Sequence, residues 1–181
     1  MGFTFGKNFR MRVFGKSHGK KIGVVVGGVP KGIAINRQGI QAELDRRRPG
    51  QSKFTTQRNE PDEVVIESGI RNGRTTGAPI KMVIFNRDVQ SKPYEALAST
   101  PRPGHADFTA REKYGEKADL RGGGYFSGRM TACFVMAGAI AKAILRKRGI
   151  KALAYIKKMG SISARELKDS EIGSLTYKSD V

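Results

Sequence analysis

The longest helical pattern in the chain lies within residues 120–148, where apolar residues recur at intervals of three and four. One face of this pattern would carry Cys133, Met136, Ala137, Ile140, Ala141, Ile144 and Leu145. Such spacing is typical of a helix that buries one face. Phe134, Val135 and Ala143 make the remaining faces apolar as well. We therefore predict a core helix that begins at Ser127 and is covered on most sides.

Shorter patterns predict the rest of the fold. Alternating or β-branched segments predict strands over residues 9–14, 22–26, 64–67, 80–85 and 152–159. A helix capped by its first residue is predicted over residues 36–46, and another short helix over residues 163–169. Asn72 and Gly73 would form the tip of a hairpin between two of the strands. The elements predict an α+β fold with antiparallel strands gathered near a central helix, in one domain over residues 1–181.

The segment that precedes the core helix has a different character. Residues 121–124 are one arginine and three glycines, and Ser127 follows them. Free backbone amides and the positive end of the helix dipole would converge there, which favours an anion. The preceding residues, 86–124, show little apolar periodicity, and such a long irregular segment is usually functional or disordered. We predict a phosphate or carboxylate site at the start of the core helix.

The charge of the chain narrows the classes of partner. Its 181 residues include 34 Lys and Arg against 16 Asp and Glu, for a formal net charge of +18. This excess requires nucleic acid, an anionic membrane, a very anionic small substrate, or an acidic region outside this sequence. No apolar run approaches the roughly 20 residues that span a bilayer, and no apolar signal core is present. The single cysteine excludes a disulfide framework, so a cytosolic protein is the simplest interpretation.

The two histidines, His18 and His105, both lie in polar loops rather than on an apolar face. One interpretation makes them surface imidazoles without a role. The other makes them general acids, because an imidazole beside arginines and an anionic ligand donates a proton at neutral pH. Two distant histidines and one buried cysteine do not give the spacing of a zinc site, so no metal is predicted.

Gly15, Lys16 and Ser17 look like the end of a nucleotide-binding P-loop. That motif needs a glycine five positions before its Gly-Lys pair, and Arg10 occupies this position. The pattern also breaks at Gly19 instead of starting a helix, so we reject a P-loop.

Residues 46–58 form a basic tract that contains Arg46, Arg47, Arg48, Lys53 and Arg58. The tract is either a solvated helix end or an anion site, and its interspersed glycines and hydroxyls favour bidentate capture of phosphate and carboxylate. Phe54 is its only aromatic residue. A stacking platform for nucleic acid is therefore poorly supported.

A series of short motifs follows one order along the chain, at residues 14–19, 44–52, 54–58, 60–64, 75–77, 102–107, 113–115, 121–124 and 137–142. Each motif is weak alone, but the ordered set closely resembles the chorismate synthase family. The resemblance implies a 1,4-elimination of phosphate from 5-enolpyruvylshikimate 3-phosphate, with reduced FMN as cofactor and NADPH as a candidate reductant. It also implies a cytoplasmic homotetramer, whose fold is a central helical layer between antiparallel β-sheets, a β-α-β sandwich only partly contained in this chain.

The resemblance also implies roles for individual residues. His18 would be the acid for the departing phosphate, and His105 would protonate reduced flavin. Ser17 and Ser127 would relay protons beside them. The expected anion-binding residues are Arg47, Arg48, Lys53 and Arg129, and the expected FMN contacts are Tyr125, Phe126, Ser127 and His105.

The sequence departs from the family pattern in several places. Many members have Glu where Lys16 stands, Lys53 replaces a common arginine, and Tyr125 and Phe126 replace a basic and hydroxyl-bearing stretch. Family members are about twice as long as this sequence, so we expect an N-terminal portion whose missing half carries a catalytic aspartate and further flavin contacts. The alternatives are a basic RNA-binding domain and an inactive truncated remnant of the enzyme.

Overall fold

The computed structural model describes residues 3–48, 60–87 and 100–175. These residues fall into two compact units, Met1–Ala143 and Ile144–Val181. The first unit contains the main sheet and every residue for which we predict a role in the site. Of these predicted residues, Lys53 lies outside the described ranges. A single domain over residues 1–181 stays a prediction.

The main sheet has five antiparallel strands in the order β1-β2-β3-β7-β4. Their bounds are Phe3–Phe5 for β1, Arg10–Gly15 for β2, Lys21–Gly27 for β3, Val64–Ser68 for β4 and Ile80–Phe85 for β7. Four of these strands lie where the alternating and β-branched patterns predict them, and those predictions are confirmed. The short strand β1 has no counterpart among the predictions.

Alternation along the strands sends one set of side chains into the core. The register pairs Val13 with Val24 and Val24 with Met82, so these residues share a face across three strands. The buried set is Met11, Val13, Ile22, Val24, Val26, Val64, Ile80, Met82 and Ile84. Burying each such side chain contributes about 1.5–3 kcal/mol, which makes this face a principal source of stability. Charged residues such as Arg12 and Lys81 lie on the opposite face.

The predicted hairpin joins β4 and β7, and two further short strands, β5 (Ile70–Arg71) and β6 (Arg74–Thr75), pair next to its tip. Its two tip residues, Asn72 and Gly73, have φ values of 49° and 68°. A type I′ turn needs positive φ at both positions, and Asn followed by Gly adopts this conformation at low cost. The predicted tip is confirmed.

Two helices supply much of the remaining core. Helix α1 spans Arg37–Arg47, and the Asn36 side chain accepts a hydrogen bond from the Gly39 amide at 2.9 Å, as its predicted cap. The core helix, α3, spans Thr131–Arg146 and buries Ala132, Cys133, Met136, Ala137, Ala139 and Ile140. Burial raises the pKa of the Cys133 thiol to about 12, so the thiol stays protonated at neutral pH.

The outer side of α3 is more open than predicted. Phe134 is 41% exposed and stacks on Phe3 of β1, with ring centroids 5.5 Å apart. Phe134 is therefore an exception to the predicted cover, whereas the six buried residues of α3 and the partly buried Val135 and Ala143 agree with it. Arg121–Arg146 is long and apolar enough to meet a simple criterion for a membrane span, but the core helix of a soluble protein meets the same criterion.

The segments without strong apolar periodicity account for the errors of prediction. Helix α2, Asp107–Tyr114, forms where no helix is predicted. The strand predicted over residues 152–159 is wrong except at its end, because only β8 (Lys158–Met159) pairs with β9 (Ile162–Ser163). The helix predicted over residues 163–169 is also wrong, since α4 spans Asp169–Leu175. Acidic residues in the first turn of α4 favour this later start. The α+β class itself is confirmed.

Candidate active site

The glycine loop, residues 121–124, turns sharply before the core helix. Gly122, Gly123 and Gly124 have φ values of 57°, 85° and 53°, a left-handed region that side chains disfavour. The segment Arg121–Phe126 is therefore a 3₁₀ segment broken by a kink at the three glycines, and a second, regular 3₁₀ segment, Gly128–Met130, precedes α3. The core helix begins at Thr131 rather than at Ser127, so the predicted start is wrong by four residues. Ser127 instead caps the second 3₁₀ segment and accepts a hydrogen bond from the Arg129 amide.

The His18 loop, residues 16–19, packs directly on the glycine loop. Ser17 is fully buried, and its hydroxyl lies 3.2 Å from the Arg121 carbonyl and 3.3 Å from that of Gly122. The same hydroxyl lies 3.2 Å from Nδ1 of His18. A Cβ atom added to Gly122 would lie 1.9 Å from Cε1 of His18. The imidazole therefore occupies space that only a glycine at this position leaves open.

The His105 loop, residues 102–107, is held by a local ion pair. The Arg102 guanidinium donates to both carboxylate oxygens of Asp107, at 2.8 and 2.9 Å, and the Arg102 amide donates a third bond at 3.0 Å. These hydrogen bonds from Arg102 lower the pKa of the buried Asp107 carboxyl. His105 itself is exposed and lies between Arg102 and Asp107 in the sequence.

A cavity of about 360 Å³ lies between the His105 loop and the glycine loop. Its lining residues are Gly104, His105, Ala106, Asp107, Leu120, Gly122, Gly123, Phe126, Ser127 and Gly128. This volume falls within the roughly 300–1,000 Å³ typical of small-molecule sites. Gly122 contributes to the cavity wall and also contacts His18, so both histidines adjoin the same loop.

The two aromatic residues after the glycines differ in position. Phe126 lines the cavity, is 55% exposed, and has its ring centroid 6.4 Å from that of Tyr114. Tyr125 is half-buried, and burial raises the pKa of its phenol. Tyr125 is not among the residues of the described ranges that line the cavity. Of this pair, Phe126 alone faces the space available to a ligand.

The predicted anion-binding arginines occupy distinct environments. Arg129 is buried and donates to Asp62 at 2.7 Å, and Arg47 donates to the other oxygen of Asp62 at 3.1 Å. A second buried carboxylate, Glu60, lies 3.4 Å from Nη2 of Arg129, although that nitrogen makes no hydrogen bond of good geometry within the described residues. Arg48 is exposed at the C-terminal end of α1. Arg47 and Arg129 therefore already carry internal carboxylate partners.

The carboxylate of Asp119 binds the first residue of the glycine loop. Asp119 accepts two hydrogen bonds from the Arg121 guanidinium, at 2.8 and 2.9 Å, and lies 3.4 Å from Nζ of Lys16. The hydrogen bonds from Arg121 lower the pKa of Asp119 to about 2. The first arginine of the glycine-rich motif is thus paired with an acid two residues earlier.

Sequence reasoning missed four residues that organise the site: Asp62, Asn86, Asp107 and Asp119. Asp62 and Asp107 fall inside quoted motifs, at residues 60–64 and 102–107, so their motifs carried a signal without indicating a partner. The contact between Asn86 and Arg129 joins residues 43 positions apart, and no local pattern marks it.

The fold and the site define a class of protein. Two imidazoles adjoin one glycine loop beside a ligand-sized cavity, in a strongly cationic chain that has serine hydroxyls next to the imidazoles. Imidazoles and hydroxyls move protons, and glycine backbones with cationic surroundings receive anions. Such an arrangement is typical of acid–base enzymes that act on anionic small molecules.

Comparison with known proteins narrows this class to one family. Residues 9–179 match the family model described as chorismate synthase. Chorismate synthase from Dehalococcoides mccartyi is 49% identical over 181 residues, covering 100% of this chain and 50% of the relative. The Nitratiruptor sp. enzyme of the same name is 52% identical over 177 residues, covering 95% of this chain and 49% of the relative.

A solved structure supports the same assignment. A crystal structure of chorismate synthase superposes with a TM-score of 0.65 and 31% sequence identity, over 91% of this chain and 42% of that chain. The chain belongs to the chorismate synthase family. It spans about half the length of the curated relatives that it matches.

Proposed function

We propose that this protein acts as a chorismate synthase, a lyase that removes phosphate from 5-enolpyruvylshikimate 3-phosphate by 1,4-elimination. The observation that carries the proposal is the shared glycine loop. His18 packs against Gly122, and His105 lines the cavity that Gly122 also borders, in a chain of this family. Two proton donors near one glycine loop, one of them at the cavity wall, suit a reaction that expels phosphate.

The charge of the site supports an anionic substrate. The substrate carries one phosphate and two carboxylates, and such a density of negative charge needs preorganised amides and cations. The proposed anion-binding residues are Arg47, Arg48, Lys53 and Arg129. Among them Arg48 is exposed, whereas Arg47 and Arg129 share Asp62 and therefore present less uncompensated charge.

The proton steps follow from the contacts of the two histidines. His18 gives a proton to the departing phosphate, because a protonated phosphate is the better leaving group. Ser17, whose hydroxyl lies 3.2 Å from Nδ1 of His18, orients that imidazole and relays its proton. In this proposal His105 holds a proton at the cavity wall, and Ser127, which lines the same wall, supplies a hydroxyl for the relay.

The cavity also fits part of a flavin. Phe126 offers an apolar ring, His105 and Ser127 offer polar groups, and the glycine backbones leave room for close approach of a flat ligand. Reduced FMN would supply the electron chemistry of the elimination when bound, with NADPH as a candidate reductant. Tyr125 would contribute from outside the cavity wall. We propose a cytoplasmic homotetramer without nucleic-acid, membrane or metal partners.

An anaerobic assay tests this function. The protein is incubated with photoreduced FMN and 5-enolpyruvylshikimate 3-phosphate, and chorismate and free phosphate are measured together. The 181-residue chain and the product of its complete reading frame are assayed side by side. We expect the protein encoded by the complete reading frame to form equal amounts of chorismate and phosphate. Absence of both products, with tight and salt-dependent RNA binding in their place, would contradict the proposal. Absence of both products without RNA binding would indicate an inactive remnant.

A further inference from the structure

Asn86 links the two loops that carry His18 and Ser127. It follows strand β7 and is half-buried. Its side-chain nitrogen donates to the carbonyl oxygens of Lys16, at 3.1 Å, and of Gly19, at 2.6 Å. Its side-chain oxygen accepts a hydrogen bond from Nε of Arg129 at 2.6 Å. One side-chain amide thus binds both ends of the His18 loop and also binds Arg129, two residues after Ser127.

The chemistry of the partners fixes the orientation of this amide. Backbone carbonyls only accept hydrogen bonds and a guanidinium only donates, so the nitrogen must face the His18 loop and the oxygen must face Arg129. The backbone N–H of Asn86 also donates to the Lys20 carbonyl at 3.1 Å, which holds the Asn86 backbone against the end of the same loop. Asn86 therefore cannot rotate without losing several bonds at once.

The far end of the link is anchored as well. Arg129 is 6% exposed and donates at 2.7 Å to Asp62, which is fully buried. The same Asp62 accepts from Arg47, and Arg47 donates at 3.0 Å to the carbonyl of Gly128. Buried ion pairs add little net stability but break at high cost, so they define position more than they add to folding.

We propose that Asn86 is a positioning residue that sets the His18 imidazole against the glycine loop and Ser127. It touches neither the cavity nor an imidazole, and it acts through the backbone of the His18 loop. The catalytic consequence rests on the proposed function, because displacement of a catalytic group by about 1 Å costs about 10²-fold in rate. The geometric consequence does not depend on that function.

The test uses two substitutions and one control in the full 181-residue chain. Asn86→Asp keeps an acceptor for Arg129 but turns oxygen lone pairs towards the Lys16 and Gly19 carbonyls. Asn86→Ala removes all three side-chain bonds without this repulsion. Asn36→Ala is the matched control, because it removes one asparagine hydrogen bond at the start of α1, away from the histidine loops.

The measurement is the imidazole NMR spectrum, which contains only two sets of signals because the chain has only two histidines. We expect both Asn86 variants to shift or broaden the His18 signals and to leave those of His105 unchanged. Asn36→Ala should change neither set. Unchanged His18 signals in folded Asn86 variants would overturn the proposal. Loss of folding in both, with a folded control, would make Asn86 a stability residue and would overturn it as well.

The second readout is enzyme activity, measured with the protein encoded by the complete reading frame. In both Asn86 variants kcat should fall about 10²-fold while KM changes little, since the substrate contacts remain. A rise in KM with an unchanged kcat would contradict positioning, because it would indicate a loss of substrate binding instead. If the wild-type protein forms no chorismate, the proposed function fails, yet the imidazole spectrum still decides the role of Asn86.

Discussion

The His18 loop and the His105 loop present two ways of holding an imidazole near one glycine loop. The His18 loop is anchored by residues far away in sequence, since Ser17 bonds to carbonyls 104 and 105 positions later and Asn86 binds from 67 and 70 positions away. The His105 loop is anchored from within, by an ion pair between Arg102 and Asp107. One loop depends on the fold, and the other depends on its own six residues.

This difference has a consequence for the two proposed acids. His18 is half-buried and its position follows the sheet, the glycine loop and the start of α3 together. His105 is exposed, so its loop is able to adjust without disturbing the core. Substitutions near His18 should therefore alter both the geometry of the glycine loop and the stability of the fold. Substitutions near His105 should leave the geometry around His18 unchanged.

Among substitutions that leave both histidines in place, the largest expected effect comes from Gly122→Ala, which disrupts the contact between His18 and the glycine loop. The new Cβ atom would lie 1.9 Å from the imidazole, and the backbone has a φ of 57°. We expect the imidazole to be displaced and kcat to fall by about 10²-fold or more, measured in the anaerobic assay.

Gly123→Ala provides the matched comparison. Its backbone also has positive φ, at 85°, but the new Cβ atom would meet only the Ser127 side chain, at an ordinary 3.6 Å. Both variants share the backbone strain, so the excess loss in Gly122→Ala measures the collision with His18. Equal losses in the two variants would remove the argument that Gly122 makes room for the imidazole.

A smaller effect is expected from Asp107→Asn, which breaks the local anchor of the His105 loop. Loss of the charged partner of Arg102 should lower the free energy of unfolding by about 1–3 kcal/mol at neutral pH. The pKa of Asp107 is lowered in the folded protein, so this carboxylate stabilises the fold above its unfolded pKa, near 3.8. The contribution is lost as pH falls from about 4 through the lower folded pKa.

Urea unfolding at pH 7 and pH 2.5 measures this contribution. The difference between Asp107→Asn and the wild type should be smaller at the lower pH. Glu63→Gln serves as control, because Glu63 is in an exposed ion pair with Arg87 and its loss should cost less than about 1 kcal/mol. A difference for Asp107→Asn that stays constant with pH would show that the ion pair does not hold this loop.

The same contrast explains what the sequence predicts and what it does not. Local patterns determine β3, the Asn72–Gly73 turn and the Asn36 cap, because each depends on neighbouring residues. The start of α3 was misplaced because three glycines with positive φ interrupt the approach to the helix. Apolar residues alone mislead near residue 156, where Leu153 and Ile156 lie in a largely apolar segment but stay exposed.

The candidate site divides in the same way. The ordered motifs indicate His18, His105 and the glycines, and the structure brings these together around one loop. The partners of the arginines were not predictable, because Asp62 meets Arg129 across 67 positions. The family resemblance implies a ligand for Arg129, whereas its burial beside two carboxylates gives it an internal contact.

The most direct test of the central claim, that two differently anchored histidines serve one site, is kcat for His18→Ala and His105→Ala. Both are measured anaerobically with photoreduced FMN, after circular dichroism has confirmed that each variant is folded. Each should lose about 10²–10⁴-fold in rate, as expected for removal of a general acid. A wild-type rate in either folded variant would contradict the account, because that loop would then lie outside the chemistry.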